Sequence, residues 1–92
     1  MSFEFDWNED KEIQLLSERG LSFEMVVEAA ENGEIVADFQ NPTLGRSHQR
    51  IILIKVSGYA VAVPYVTDGK IKFLKTMYFD RKNNEIYGDQ NG

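Results

Sequence analysis

The residues of this sequence best suited to chemistry are cations placed among apolar strand residues. Read with a period of two, the segment from Ile71 onward puts Lys75 on the same face as Phe73 and Met77. An ammonium in an apolar row costs several kcal/mol if it is desolvated. Lys75 must therefore sit at a sheet margin, be paired, or serve a function. Lys55 interrupts the Ile51–Leu53 row in the same way, Arg50 opens that row, and Arg81 and Lys82 close the last strand. Brought together, Arg50 and the Arg81–Lys82 end form a compact cationic site. Tyr65, Tyr78 and Tyr87 then supply hydroxyls and rings beside it. The competing reading is that these bases only block sheet edges against aggregation.

Other chemistries find little material. The chain has no cysteine and a single histidine, which excludes disulfides and thiolate zinc and leaves no His-based triad. His48 falls in a polar loop and reads as solvated. The acids Glu4, Asp6, Glu9 and Asp10 lie close in sequence, but strand alternation and helix capping account for them, so no metal is expected. No glycine-rich phosphate loop, zinc-protease helix, EF-hand loop or nucleophile elbow is present, and no cofactor is expected. Trp7 reads as a core or hinge aromatic.

The elements that must position these residues follow from patterning. Phe3–Trp7 alternates as a short strand. Asn8 suits a helix N-cap, Glu9 and Asp10 the first turn, and Gly20 the C-cap. Ile13, Leu15 and Leu16 give that helix its apolar side. Ser22 is a second N-cap, and Phe23, Val26, Val27 and Ala30 make one helical face opposite Glu24, Glu28 and Glu31. Asn32–Gly33 ends that helix.

Ile35–Phe39 is a strand and 40–47 a polar loop. Ile51–Val56 is a strand covered on both faces, and Ser57–Gly58 turns it. Tyr59, Val61, Val63 and Tyr65 share one face of the next strand, where Pro64 implies a bulge or an edge. Asp68–Gly69 is a hairpin signal. Ile71, Phe73, Met77 and Phe79 share a face of the last strand. The pattern is lost from Asp80, and residues 88–92 read as frayed. The order β-α-α-β-β-β-β is that of an α+β domain, with two N-terminal helices packed on a twisted antiparallel sheet.

The 92 residues make one domain. No apolar run reaches the roughly 20 residues that span a bilayer, and the acidic start lacks a signal-peptide pattern. A cytoplasmic protein without membrane contact is expected. The net charge of −5 is unevenly spread, at −9 over residues 1–38 and +4 over residues 39–92. Such asymmetry marks an interaction surface, or simply solvated Glu-rich helix faces.

Several ordered motifs resemble the BrnT family. They are Phe3–Trp7, then Glu18–Arg19–Gly20–Leu21–Ser22–Phe23–Glu24, Gln49–Arg50–Ile51, Gly58–Tyr59 and Val63–Pro64–Tyr65–Val66. Asp68–Gly69 and the run from Phe73 through Lys75 to Arg81–Lys82 complete the set. The resemblance covers Phe3 to Tyr87. It implies a RelE-like fold and a toxin that cleaves RNA without metal, held inactive by a co-expressed antitoxin, often a ribbon-helix-helix protein. DNA would be met only through the antitoxin, and RNA either free or on the ribosome.

On that resemblance Arg50, Lys75, Arg81 and Lys82 are the catalytic candidates. The arginines suit bidentate phosphate contact, and Lys75 suits charge stabilisation or proton transfer. Tyr65, Tyr78 and Tyr87 are the substrate-binding candidates. The chain departs from the family at Glu18–Arg19, at Phe79–Asp80 and across Asn83–Tyr87. These departures imply weak RNA affinity, ribosome-dependent action or loss of cleavage. Two functions follow as expectations: an endoribonuclease toxin, or a non-catalytic binding partner or corepressor on the same scaffold. Convergence of Arg50, Lys75 and Arg81 favours the first, and dispersal favours the second.

Overall fold

A computed structural model describes residues 4–88. The part of the expected first strand at Phe3 and the expected fraying of 89–92 lie outside the described residues. The order is β1 (Glu4–Trp7), α1 (Glu9–Arg19), α2 (Glu24–Glu31), β2 (Ala37–Gln40), β3 (Arg50–Val56), β4 (Tyr59–Asp68), β5 (Ile71–Leu74), β6 (Tyr78–Phe79) and α3 (Arg81–Tyr87). The strands form one mixed sheet in the order β1-β5-β4-β3-β2, with β6 also paired to β4. The architecture is α+β, but the sheet is not purely antiparallel, because β1 runs parallel to β5. A parallel neighbour needs a long crossover, and here most of the chain separates the two strands.

Local signals set the helix ends. The Asn8 side chain accepts the Lys11 N–H at 3.0 Å. Gly20, at φ 67°, closes α1 in the left-handed cap that a side chain would strain. Ser22, expected as the second N-cap, lies one residue before it: the cap position is Phe23, which has no side-chain cap, although the Ser22 hydroxyl accepts the Glu24 N–H at 3.2 Å. The Glu12 carboxylate of α1 accepts the Phe23 N–H at 3.1 Å, so one helix caps the next.

Leu15, Leu21, Phe23, Val26 and Ala29 bury together with Ile52, Ile54, Val61, Val63, Tyr65, Leu74 and Met77. Trp7 joins from β1, its ring 5.6 Å from that of Phe23. A smaller cluster, Ile51, Leu53 and Ala62, occupies the other face of the sheet. β3 is therefore covered on both sides, as its unbroken apolar run requires, but the middle strand is β4 and not β3, which was expected to be central. The apolar side of α1 is narrower than its composition suggests: Leu15 is buried, but Ile13 and Leu16 are 63% and 50% exposed.

The β3–β4 hairpin turns through Ser57 and Gly58, both at positive φ, the geometry that matches strand twist in a two-residue loop. The next hairpin turns one residue later than expected, at Gly69–Lys70, with Asp68 still paired to Ile71.

The last expected strand is broken. β5 ends at Leu74, Lys75–Met77 is irregular, and β6 resumes against Val61 and Ala62. Pro64 explains where. In an antiparallel strand the N–H and C=O of one residue point the same way, and the Pro64 carbonyl accepts the Lys75 N–H at 2.8 Å. The donor that proline lacks therefore faces the break. The break turns Met77 into the helix-side core, where it is fully buried, and the Arg19 guanidinium donates to its carbonyl.

The segment expected to lose structure after Asp80 is helical. Asp80 caps α3 by accepting the Asn83 N–H at 3.1 Å. α3 buries no residue of its own, so no apolar period betrays it. It is held at the sheet by Asn84, whose side-chain oxygen accepts the Ala60 N–H at 2.9 Å. Gly88, expected to fray, is buried, and its N–H bonds the Asn84 carbonyl at 2.9 Å.

Two substitutions measure this core. Phe23→Ala removes a fully buried ring and costs about 3–5 kcal/mol in urea unfolding. Ile13→Ala changes stability by less than about 0.5 kcal/mol, as an exposed site does. Equal losses would show that α1 buries a wider face than described.

Candidate functional site

Strand register gathers four polar side chains on the helix-facing side of the sheet, at one end. Asp38 on β2 pairs with Ile52, and Arg50 on β3 pairs with Tyr65 on β4. Tyr65 in turn pairs with Leu74, and Lys72 lies two residues before Leu74 on β5. Alternation puts all of these on one face.

Asp38 is the centre of the group. Its Oδ1 accepts from Arg50 Nε at 2.9 Å, and its carbonyl accepts from Arg50 Nη2 at 3.0 Å. The Tyr65 hydroxyl donates to the same carboxylate, 2.7 Å from Oδ2 and 2.9 Å from Oδ1. Lys72 Nζ lies 3.6 Å from Oδ2 and 5.1 Å from the centre of the Tyr65 ring. Burial pushes the Tyr65 phenol up to about 12, and the hydrogen bond to Asp38 adds to the rise while Arg50 opposes it. The Arg50 guanidinium is held above its ordinary value, chiefly by the hydrogen bond to Asp38.

The sequence candidates are placed as follows. Arg50 and Tyr65 come together, through Asp38. Arg81 and Lys82 begin α3 at the other end of β4, where the Asp80 N–H bonds the Ala60 carbonyl at 3.0 Å. Five steps of strand separate Ala60 from Tyr65, roughly 17 Å at strand rise. Asp38 draws the Arg50 side chain toward β2, away from the β4 edge that carries α3. Lys75 is exposed, its Nζ 5.3 Å from the centre of the Phe73 ring. Phe73 precedes Leu74 and lies on the opposite face from Tyr65. The catalytic set is thus spread over two faces and two ends of the sheet.

Tyr78 and Tyr87 are 37% and 39% exposed, apart from Tyr65. Tyr78 pairs with Ala62 and shares its face. Burial raises the Tyr78 phenol first, and the Asp80 carboxylate adds to this while Arg46 opposes it. Arg46, from the β2–β3 loop, is therefore within electrostatic reach of Tyr78. His48 is exposed in the same loop. Among the described residues, no three acidic or histidine side chains come together as a metal site.

Sequence reasoning missed Asp38, Lys72 and Arg46. Asp38 did leave a signal. With Ala37 and Phe39 on one face of a strand, the residue between them must point to the other, and a carboxylate there needs donors. No protein-family model, curated protein or solved structure matches this chain.

Chemically, the Asp38 group is an ion-paired clamp joining four strands. Its tyrosine supplies a test. The folded phenol ionises above the unfolded one, so its stabilising contribution is complete below about pH 10, the ordinary tyrosine range, and is lost as pH rises through about 12. Absorbance titration should show a last tyrosine ionising near 12 that Tyr65→Phe removes. If Tyr65→Phe leaves the late step intact, the clamp is misassigned.

Proposed function

We propose that this chain is the toxin-side member of a toxin–antitoxin pair, and that it works by binding protein rather than by cleaving RNA through Arg50, Lys75, Arg81 and Lys82. The observation that carries the reading is the engagement of Arg50 by Asp38 at 2.9 Å, with Arg81 at the far end of β4. Phosphoryl chemistry needs cations converging on one developing charge. An arginine already committed to a carboxylate and a backbone carbonyl, with Lys75 over Phe73 on the other face and Arg81 and Lys82 at the other end of β4, does not supply that.

On this reading the fold is RelE-like, with the two N-terminal helices on one face of the sheet. The partner is an antitoxin, a ribbon-helix-helix protein, and DNA is met only through it, which makes this chain a corepressor. The charge partition of −9 and +4 supports a binding role, since a chain with two oppositely charged regions can dock a partner in one orientation. The compartment is the cytoplasm. Among the described residues no helix is long and apolar enough to cross a membrane.

A second reading keeps the enzyme. Tyr78 feels both Arg46 and Asp80, and Arg81 and Lys82 follow directly in α3. A hydroxyl, a carboxylate and cations are the groups that 2′-hydroxyl attack on a phosphate requires. This endoribonuclease would act without metal and without Arg50.

The experiment is induced expression in a bacterium, with and without the neighbouring gene's product, and RNA cleavage by the purified chain with and without EDTA. The protein-binding reading expects a stable complex with that product and no RNA cleavage. Cleavage that resists EDTA, falls about 100- to 1,000-fold in Arg81→Ala and survives in His48→Ala and Arg50→Ala would establish the second reading. A chain that neither binds the product nor cleaves RNA would sink both.

A further inference from the structure

β2 is the last strand on its side of the sheet, and among the described residues no strand lies beyond it. Its backbone therefore turns a row of donors and acceptors outward, the arrangement that templates a further strand. The register says which residues supply that row. The Asn41 N–H bonds the Gln49 carbonyl at 2.9 Å, and bonded and unbonded pairs alternate along an antiparallel ladder. Phe39 and Ala37 therefore direct their backbone groups to Ile51 and Leu53 on β3. Asp38 and Gln40 direct theirs away from the sheet.

One of these outward groups is already taken. Arg50 Nη2 donates to the Asp38 carbonyl at 3.0 Å, while Nε donates to the Asp38 carboxylate at 2.9 Å. The arginine stands on β3, so its side chain crosses β2 to reach that oxygen. Tying β2 to β3 needs the carboxylate alone. The second bond sets a charged, planar group against the outer row, and a charge on an edge is how sheets keep further strands away.

We propose that the outer edge of β2 is an interaction edge for a second copy of this chain, and that Arg50 holds it shut. Two identical edges pair antiparallel about a two-fold axis. An axis at Asp38 sets two carboxylates directly opposite each other, which is destabilising. An axis at Phe39 sets Asp38 against Gln40 of the second copy, so each Asp38 carbonyl accepts a Gln40 N–H. Phe39 then faces its own copy on the side of the sheet where it packs against Ile51, Leu53 and Ala62, and that small cluster continues across the axis. This self-complementarity of polar row and apolar neighbour favours a second copy over an unrelated strand. Pairing and guarding compete for the same carbonyl. The inference does not depend on the toxin–antitoxin reading.

The test is sedimentation velocity over a concentration series with wild type, Arg50→Ala and Arg50→Ala/Gln40→Pro. Asp38 keeps Tyr65 and Lys72 when Arg50 is removed, and cooperative urea unfolding reports the fold of each variant. If Arg50→Ala does not fold, Arg50→Gln, which keeps most of the stem without the charge, replaces it. Wild type is expected to be monomeric, and Arg50→Ala to form a discrete dimer at least tenfold more tightly. Gln40→Pro removes an outward N–H and no ladder bond, so the double variant returns to monomer. Phe39→Cys adds one thiol to a chain that has no cysteine. Opposed residues at the axis stand about 4.5 Å apart, within disulfide reach, so diamide should crosslink two copies at least tenfold faster when Arg50→Ala is also present. A folded Arg50→Ala that stays monomeric overturns the proposal. So does a dimer that Gln40→Pro leaves intact, or a crosslinking rate indifferent to Arg50. If Arg50→Ala instead gains affinity for the neighbouring gene's product and loses it with Gln40→Pro, the edge serves another protein's strand and the second copy is wrong.

Discussion

A carboxylate at a sheet edge can tie its neighbours together when donors from several strands converge on it, and Asp38 does so from an exposed position. Asp38 is met from three other strands at once. Arg50 reaches it from β3, Tyr65 from β4 and Lys72 from β5. The buried cluster of Phe23, Val26 and their sheet partners reaches this end through Tyr65 and Leu74, and the clamp adds polar contacts at its margin. It also fixes β2 to its neighbours beyond the ladder, which matters because β2 is short and lies at an edge. Asp38 remains partly exposed, with 30% of its side-chain surface open, so the clamp is better described as specifying register than as a large store of stability.

The second constraint is Pro64. A proline in a strand flanked on both sides leaves one ladder position without a donor, and the neighbouring strand has to yield there. It yields at Lys75–Met77. From that local interruption follow the burial of Met77, the bond from Arg19 to its carbonyl, and the separation of β6 from β5. Lys75 is resolved by the same event. The expectation that it shares a face with Phe73 and Met77 assumed an unbroken strand; with the break, Met77 goes to the core and Lys75 stays outside, its ammonium over the Phe73 ring.

How much of this was legible can be said residue by residue. Asn8, Gly20, Asn32–Gly33 and Ser57–Gly58 act through their own backbone or short side chains, and the sequence shows such signals directly. The alternation of Val61, Val63 and Tyr65 was readable because β4 is long enough to keep its period. The limits lie where the cause is not local. α3 has no apolar stripe, since it is tethered by the Asp80 cap and by Asn84 at Ala60, and no periodicity records a tether. The parallel pairing of β1 with β5 depends on elements far apart in sequence. For the site, residue types were readable but convergence was not. Arg50 stands beside Tyr65 as a chemist would hope, yet Asp38, read only as a strand residue, takes its guanidinium.

The placement of acids decides how the cationic surface should be understood. Asp38 occupies Arg50, and Asp80 stands close enough to Tyr78 to raise its phenol. Neither carboxylate is incidental, because Asp38 joins strands and Asp80 starts α3. A phosphate approaching either tyrosine would meet a negative charge that the fold needs where it is. Moving that charge aside would loosen the end of the sheet in one case and release the α3 cap in the other. The bases that remain, Lys75, Arg81 and Lys82, are exposed, where screening by salt weakens each at a distance of about 8 Å. Distributed, exposed cations and a separately placed acidic helical face make a molecule suited to recognising an oppositely patterned surface, and it is for that task that dispersal costs nothing.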